Sequence, residues 1–271
     1  MPELPEVEVV KQSLERKILN LRIKKIKIND GKLRYIVDKN ELFNLVGKKF
    51  KKIERRSKYL IFHLEKHITM IAHLGMTGKF FFIDKKNKKF KTSFYYDLNL
   101  EKDKKHDRII FIFQNDEKLI YNDIRKFGFV KFCRAVDYYK NRHIRDLGPE
   151  PLSKDWDQRY FKRYIFGRNR TIKSILMDQK FVSGLGNIYA NEILFLSKIK
   201  PTRKVKKIKE FEIKKVINYT KKILKSSIKY GGSSIKDFSS DNGKKGIFQQ
   251  YFKVYGRKGK TCSNIDCNSI I

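Results

Sequence analysis

The chain begins Met1-Pro2-Glu3-Leu4-Pro5-Glu6, with a small second residue of the kind that permits removal of the initiator methionine. Once Met1 is gone, Pro2 carries a free secondary amine. Such an amine can attack an electrophilic sugar carbon and pass to an iminium without first losing two protons, so it can act as a covalent nucleophile. Glu3, its neighbour, can give or take a proton. On these residues alone a plainer reading stands beside the catalytic one, in which Pro2 and Glu3 only lead into a helix.

The elements around this terminus can be read from periodicity. Val7, Val10 and Leu14 follow Pro5 at helical spacing, and Glu6 and Glu8 fall in the first turn, where the helix dipole favours acids. From residue 22 to residue 133 the pattern shortens to strand-length apolar runs at 26–28, 59–64, 68–72, 80–83, 109–113 and 129–133, separated by Lys, Asn, Asp and Gly. Many short strands of this kind predict a β-sandwich behind a leading helix. Leu147-Gly148-Pro149-Glu150-Pro151-Leu152 has the turn residues of a linker, and helical periodicity follows at 160–166, 171–179, 187–198 and 208–230, with Gly231 as the stop. The expected class is therefore α+β. Its expected parts are a domain over 1–146, a helical domain over 153–238, and a Gly-, Lys- and aromatic-rich tail over 239–271 that reads as loops and a small hairpin.

Composition narrows the partners. The chain carries 64 Lys and Arg against 29 Asp and Glu, a net charge of +35, which favours a polyanion, nucleic acid first. AT-biased coding would raise the Lys content as well, so charge alone does not decide. No apolar stretch reaches the length of a signal peptide or a membrane span, and a cytoplasmic, monomeric protein is expected, nucleoid-associated in a bacterium. Cys133, Cys262 and Cys267 are too few for a disulfide framework in 271 residues. Cys133 reads as core.

Taken together, 1–8 (MPELPEVE), 56–60 (RSKYL), 73–78 (HLGMTG), 123–128 (DIRKFG), 147–152 (LGPEPL), 184–190 (GLGNIYA) and 254–259 (VYGRKG) resemble the formamidopyrimidine-DNA glycosylase family, block by block and in order. Each is short, but their shared register over residues 1–262 is specific. The resemblance implies a bifunctional repair enzyme. It would remove oxidised purines such as 8-oxoguanine and formamidopyrimidines from duplex DNA and cleave the abasic strand by β,δ-elimination. Pro2 matches the Schiff-base nucleophile, Glu3 the acid at the sugar, and Lys58 the acid or base of strand cleavage; without the resemblance Lys58 reads as one more solvated charge. Extruding a base leaves a void opposite its orphaned partner, and Met76, Arg125 and Phe127 match the residues that fill it. His73, His106, Arg170 and Asn187 match DNA contacts. Asn187 also reads as a cap opening a helix, in an implied helix, two turns, helix element whose first helix lies in 171–179. The segment 231–238 resembles the loop that closes over the everted base.

Two departures accompany the resemblance. Ile124 stands where the family usually has proline, and Lys126 where arginine is common. More consequential is the tail. The family usually ends in a four-cysteine zinc hairpin whose arginine reaches the lesion phosphates, whereas Cys262 and Cys267 are separated by four residues and Ile271 is the last residue of the sequence. Two thiolates supply half of a tetrahedral site. A truncated hairpin without stably bound zinc, no organic cofactor, and activity that is damaged without necessarily being abolished are the expectations. Three rivals remain: the endonuclease VIII branch acting on oxidised pyrimidines, disfavoured by Leu4 where that branch commonly has glycine; a catalytically impaired damaged-DNA-binding protein; and a general RNA-binding protein, which has no need of Pro2, Lys58 or Asn187.

Overall fold

The computed structural model describes residues 1–85, 89–91, 104–233, 248–264 and 267–271. These fall into two compact units. One holds Met1–Arg145 with 231–233, the other Asp146–Tyr230 with the described residues from Phe248 onward.

In the first unit, α1 (Leu4–Ile18) opens the chain as its periodicity predicts, with Pro5 in the first turn, where the absent N–H costs no hydrogen bond. Its inner face of Val7, Val10, Leu14 and Ile18 is almost wholly buried, each such side chain contributing roughly 1.5–3 kcal/mol. It packs on two antiparallel sheets. One runs β1-β7-β8-β5-β6 and the other β2-β3-β4-β9, with β1 Ile23–Ile28, β2 Phe50–Arg56, β3 Tyr59–Leu64, β4 Ile68–His73, β5 Lys79–Ile83, β6 Lys89–Lys91, β7 Asp107–Phe113, β8 Lys118–Asn122 and β9 Phe129–Arg134. Phe50, Phe62 and Phe80 from the two sheets meet at 5.7 Å, edge to face, in a core shared with Phe111, Phe113 and Tyr121.

The apolar runs locate most of these strands, but β2, β6 and β8 escape them. In β2 (FKKIERR) only Phe50 and Ile53 are buried, so two inward residues among charges carry the strand. Its pairing with β3, from Phe50↔Leu64 to Arg56↔Tyr59, is what makes it one. A short helix, α2 (Lys39–Phe43), also lies within the stretch that reads as all strand; Asp38 caps it by accepting from the Glu41 N–H.

The second unit is helical: α3 (Gln158–Ile165), α4 (Ile172–Leu176), α5 (Asn187–Leu196) and α6 (Glu210–Lys229). The helix expected over 171–179 is shorter, because Thr171 caps it and the chain turns after Met177. Two turns then lead to α5. Trp156 packs on Phe161 and Phe181 at 5.4 and 5.1 Å, giving this unit a core of its own. Among the described residues no helix is long and apolar enough to cross a membrane.

Candidate active site

The first unit gathers charged groups around the start of the chain. Arg56 pairs with Tyr59 across a turn of only Ser57 and Lys58, and Ser57 takes a positive φ of 56° to close it. Arg55 fastens this turn, donating from Nη1 to the Ser57 carbonyl at 2.9 Å and from Nε to Glu8 on α1 at 2.8 Å. Lys58 is thereby carried inward to 6% exposure, not out into solvent as its residue type alone suggests. Burial lowers its pKa, opposed by the nearby carboxylates of Glu3 and Glu6. These carboxylates are themselves buried, Glu3 at 3% and Glu6 at 0% exposure.

Glu6 accepts the Glu3 N–H at 2.9 Å and, through its other oxygen, the Ser233 N–H and hydroxyl at 2.9 and 2.8 Å. Gly232 permits this approach with φ +82° and a missing Cβ that would lie 3.3 Å from the carboxylate. The rest of the segment that resembles a base-covering loop, 234–238, lies outside the described residues.

The terminal amine, on Met1 in the structure, is also held below its ordinary pKa. Burial is the main cause, with Lys58 and Arg125 acting in the same sense and Glu3 and Glu6 against it. An amine in this position spends more of its time unprotonated and nucleophilic. Pro2 is buried immediately behind it.

His73, at the end of β4, stacks on Phe129 at 5.5 Å, and its Nδ1 accepts the Gly75 N–H at 3.1 Å. That bond assigns the proton of the neutral ring to Nε2. Burial, then Lys58, Arg34 and His143, bring its pKa to about 4 from 6.5. At neutral pH it is an uncharged donor suited to a phosphate oxygen. As pH falls from 6.5 toward 4 the unfolded chain takes up a proton that the folded chain refuses, so the fold loses stability across that window. The loss approaches roughly 3 kcal/mol below the window. His73→Gln is expected to flatten the fall in thermal midpoint between pH 7 and pH 4.5; an unchanged slope would show that other groups set it.

Two loops present the three residues matched to the void-filling role. Met76 and Phe127 are exposed at 38% and 45%, although large apolar side chains usually pack inside. Arg125 lies over the Phe127 ring, its guanidinium carbon 4.5 Å from the centroid. With Met1, Arg34, His73, Gly75 and Lys126 they line an open cavity of about 570 Å³. His106 lies apart from that lining, its Nδ1 3.3 Å from Arg108 Nη2.

In the second unit Asn187 does not cap α5. Gly186 occupies that position and Asn187 is the first helical residue, its side chain exposed at the N-terminal end of the helix. The preceding turns are built on Gln179, whose Oε1 accepts the Gly184 N–H at 2.8 Å while Nε2 donates to the Leu185 carbonyl at 2.7 Å. Nothing in the sequence marks Gln179 for this role. Arg170 is oriented by Asp178, 2.5 Å from its Nη1, and by the Ser174 carbonyl at 2.9 Å.

Cys262 and Cys267 face each other across a hairpin closed by the Thr261↔Ile270 bridge and a 2.9 Å bond from the Cys262 N–H to the Ser269 carbonyl. Among the described residues no third His, Cys, Asp or Glu joins them, so these two thiols supply two of the four donors of a structural zinc site. The segment before the hairpin is anchored by buried Glu192, which accepts the N–H groups of Lys253, Val254 and Tyr255 at 2.8, 3.0 and 2.8 Å. Cys133 is half-buried, and burial pushes its thiol up to about 11, which leaves it protonated and unreactive.

Residues 1–130 match the family model described as the formamidopyrimidine-DNA glycosylase N-terminal domain, and residues 147–239 that of the formamidopyrimidine-DNA glycosylase H2TH domain. The formamidopyrimidine-DNA glycosylase of Rickettsia bellii is 37% identical over 271 residues, 100% of this chain and 93% of the relative. A solved complex of Lactococcus lactis Fpg with abasic-site DNA superposes with a TM-score of 0.85 at 32% identity, covering 99% of this chain and 93% of that one. The wild-type Lactococcus lactis protein with N7-benzyl-Fapy-dG DNA gives 0.85 at 33% identity, covering 100% and 93%.

Proposed function

Because the chain belongs to the formamidopyrimidine-DNA glycosylase family, we propose that its base-excision repair of oxidised purines runs through the amine of Pro2, freed by loss of Met1. The carrying observation is that buried Pro2 lies at a chain start where the charges of Glu3, Glu6, Lys58 and Arg125 converge, all four acting on the Met1 amine one residue ahead of it. Its substrate is double-stranded DNA bearing oxidised bases or abasic sites. The nitrogen of Pro2 attacks C1′, the glycosidic bond breaks, and the base leaves with a proton. Glu3 protonates the sugar oxygen as the ring opens to the iminium. Lys58 then exchanges a proton during elimination, in which C2′ loses a proton and the 3′-phosphate departs. Water finally releases the product from Pro2.

Met76, Arg125 and Phe127 fill the vacated stack, while His73, His106, Arg170 and Asn187 hold the DNA. In this division of labour residues 1–146 carry the chemistry, 153–238 bind the duplex, and 239–271 serve the lesion side. No step is assigned to zinc; Glu192 anchors the segment ahead of the hairpin, and the hairpin is closed by its own backbone pairing.

Matched duplexes carrying 8-oxoguanine, a formamidopyrimidine or an oxidised pyrimidine test the reading. Faster excision of the two purine lesions is expected. A clear preference for the pyrimidine would move the protein to the endonuclease VIII reading, and binding without excision of any lesion to that of an impaired damaged-DNA-binding protein.

A further inference from the structure

Asp123 is wholly buried although no proposed chemical step uses it. A carboxylate in such a place is costly unless hydrogen bonds compensate it, and here the bonds come from the two void-filling loops. Its Oδ1 accepts the Thr77 hydroxyl at 2.5 Å, next to Met76, and its Oδ2 accepts the Gly128 N–H at 2.8 Å, next to Phe127. Thr77 Oγ1 in turn accepts the Arg125 N–H at 3.0 Å. One continuous chain of bonds therefore runs from the backbone of Arg125 through Thr77 and Asp123 to the backbone after Phe127.

The loops also touch directly. A Cβ on Gly75 would lie 2.5 Å from Gly128 N and from the Phe127 carbonyl carbon, and one on Gly128 would lie 1.9 Å from the Tyr121 hydroxyl. Arg108 braces the far side, donating from Nε to the Asp123 carbonyl at 2.8 Å and from Nη1 to Asp30 at 3.0 Å; Asp30 also holds Lys126 at 2.7 Å. Interlocked backbones and a satisfied buried network leave little freedom for one loop to move without the other.

We infer that Asp123 and Thr77 are positioning residues that lock Met76, Arg125 and Phe127 into a single wedge, so that the three side chains enter the base stack together. This rests on the void-filling role proposed above for those three residues. The lock matters only where a partner base is orphaned: a duplex lesion needs the wedge, whereas a single-stranded abasic site has no partner base and needs only the amine and the proton-transfer groups.

The test uses the full chain with Thr77→Val, which keeps the shape and removes both the donor to Asp123 and the acceptor for Arg125. Single-turnover excision of 8-oxoguanine from duplex is expected to fall on the order of 10²-fold, the scale of a misplacement near 1 Å. Cleavage of single-stranded abasic DNA is expected to stay within about twofold, and Thr77→Ser to restore duplex excision. Asp123→Asn, which keeps the volume but turns an acceptor into a donor, should give the same split and serves if Thr77→Val does not fold. Duplex excision at the wild-type rate, or a parallel loss on both substrates, in whichever variant folds would overturn the inference. If Met76→Ala and Phe127→Ala leave duplex excision untouched in the wild-type background, it is the void-filling role that fails.

Discussion

Excision of 8-oxoguanine is expected to fall to background when Met1 is left in place, and by on the order of 10²-fold or more in Met1-processed Pro2→Gly. With Met1 attached, the Pro2 nitrogen is an amide and has no lone pair to donate, and the amine is moved one residue away. Glycine restores a terminal amine at the right place but a primary one, which must shed two protons on the way to an uncharged imine. Intact mass separates processed from unprocessed chains, and single-turnover rates on a lesion duplex then measure each. Excision by chains that all retain Met1, at the rate of processed chains, would remove Pro2 from the mechanism.

Strand cleavage is expected to slow about 10²- to 10⁴-fold in Lys58→Gln, the range for loss of a positioned proton-transfer group. The lysine is suited to that work because burial lowers its pKa, leaving a larger neutral fraction near neutral pH than a solvated lysine has. Lys58→Arg retains the positive charge but holds its proton too tightly to exchange it. It should therefore recover binding to abasic duplex while leaving cleavage slow. Recovery of cleavage by arginine would mean that charge, not proton exchange, is the contribution of this residue.

The comparison of Lys58 with Asn187 shows what could be read from residues and what could not. Neither type is distinctive, and on periodicity alone one is a solvated charge and the other a helix cap. Lys58 escapes that reading because a two-residue turn with Ser57 at positive φ points it inward, and turn geometry of this kind is not visible in a run of charged residues. Asn187 escapes it because Gly186 takes the cap position, a shift of one residue that moves the side chain from the helix end to solvent. Ordered motifs supplied the family, and so the candidate chemistry, where local patterns did not.

The same limit applies to the strands. Runs such as 109–113 announce themselves by apolar content, while β2 depends on Phe50 and Ile53 finding partners in β3. The Asp123 network lies further still from local reading, since Thr77 and Asp123 are 46 residues apart. A buried carboxylate and a threonine give no periodic signal, and only the fold brings them together. In the tail nothing in the residue pattern shows that Glu192 gathers three N–H groups in the segment ahead of the hairpin.

Borohydride reduction during reaction with an 8-oxoguanine duplex tests the central claim most directly, because it converts the iminium into a permanent amine link between protein and DNA. Processed protein should yield a covalent adduct that peptide mass analysis places on Pro2, with none from chains that retain Met1. An adduct on a lysine side chain, or DNA binding with no adduct at all, would contradict the account.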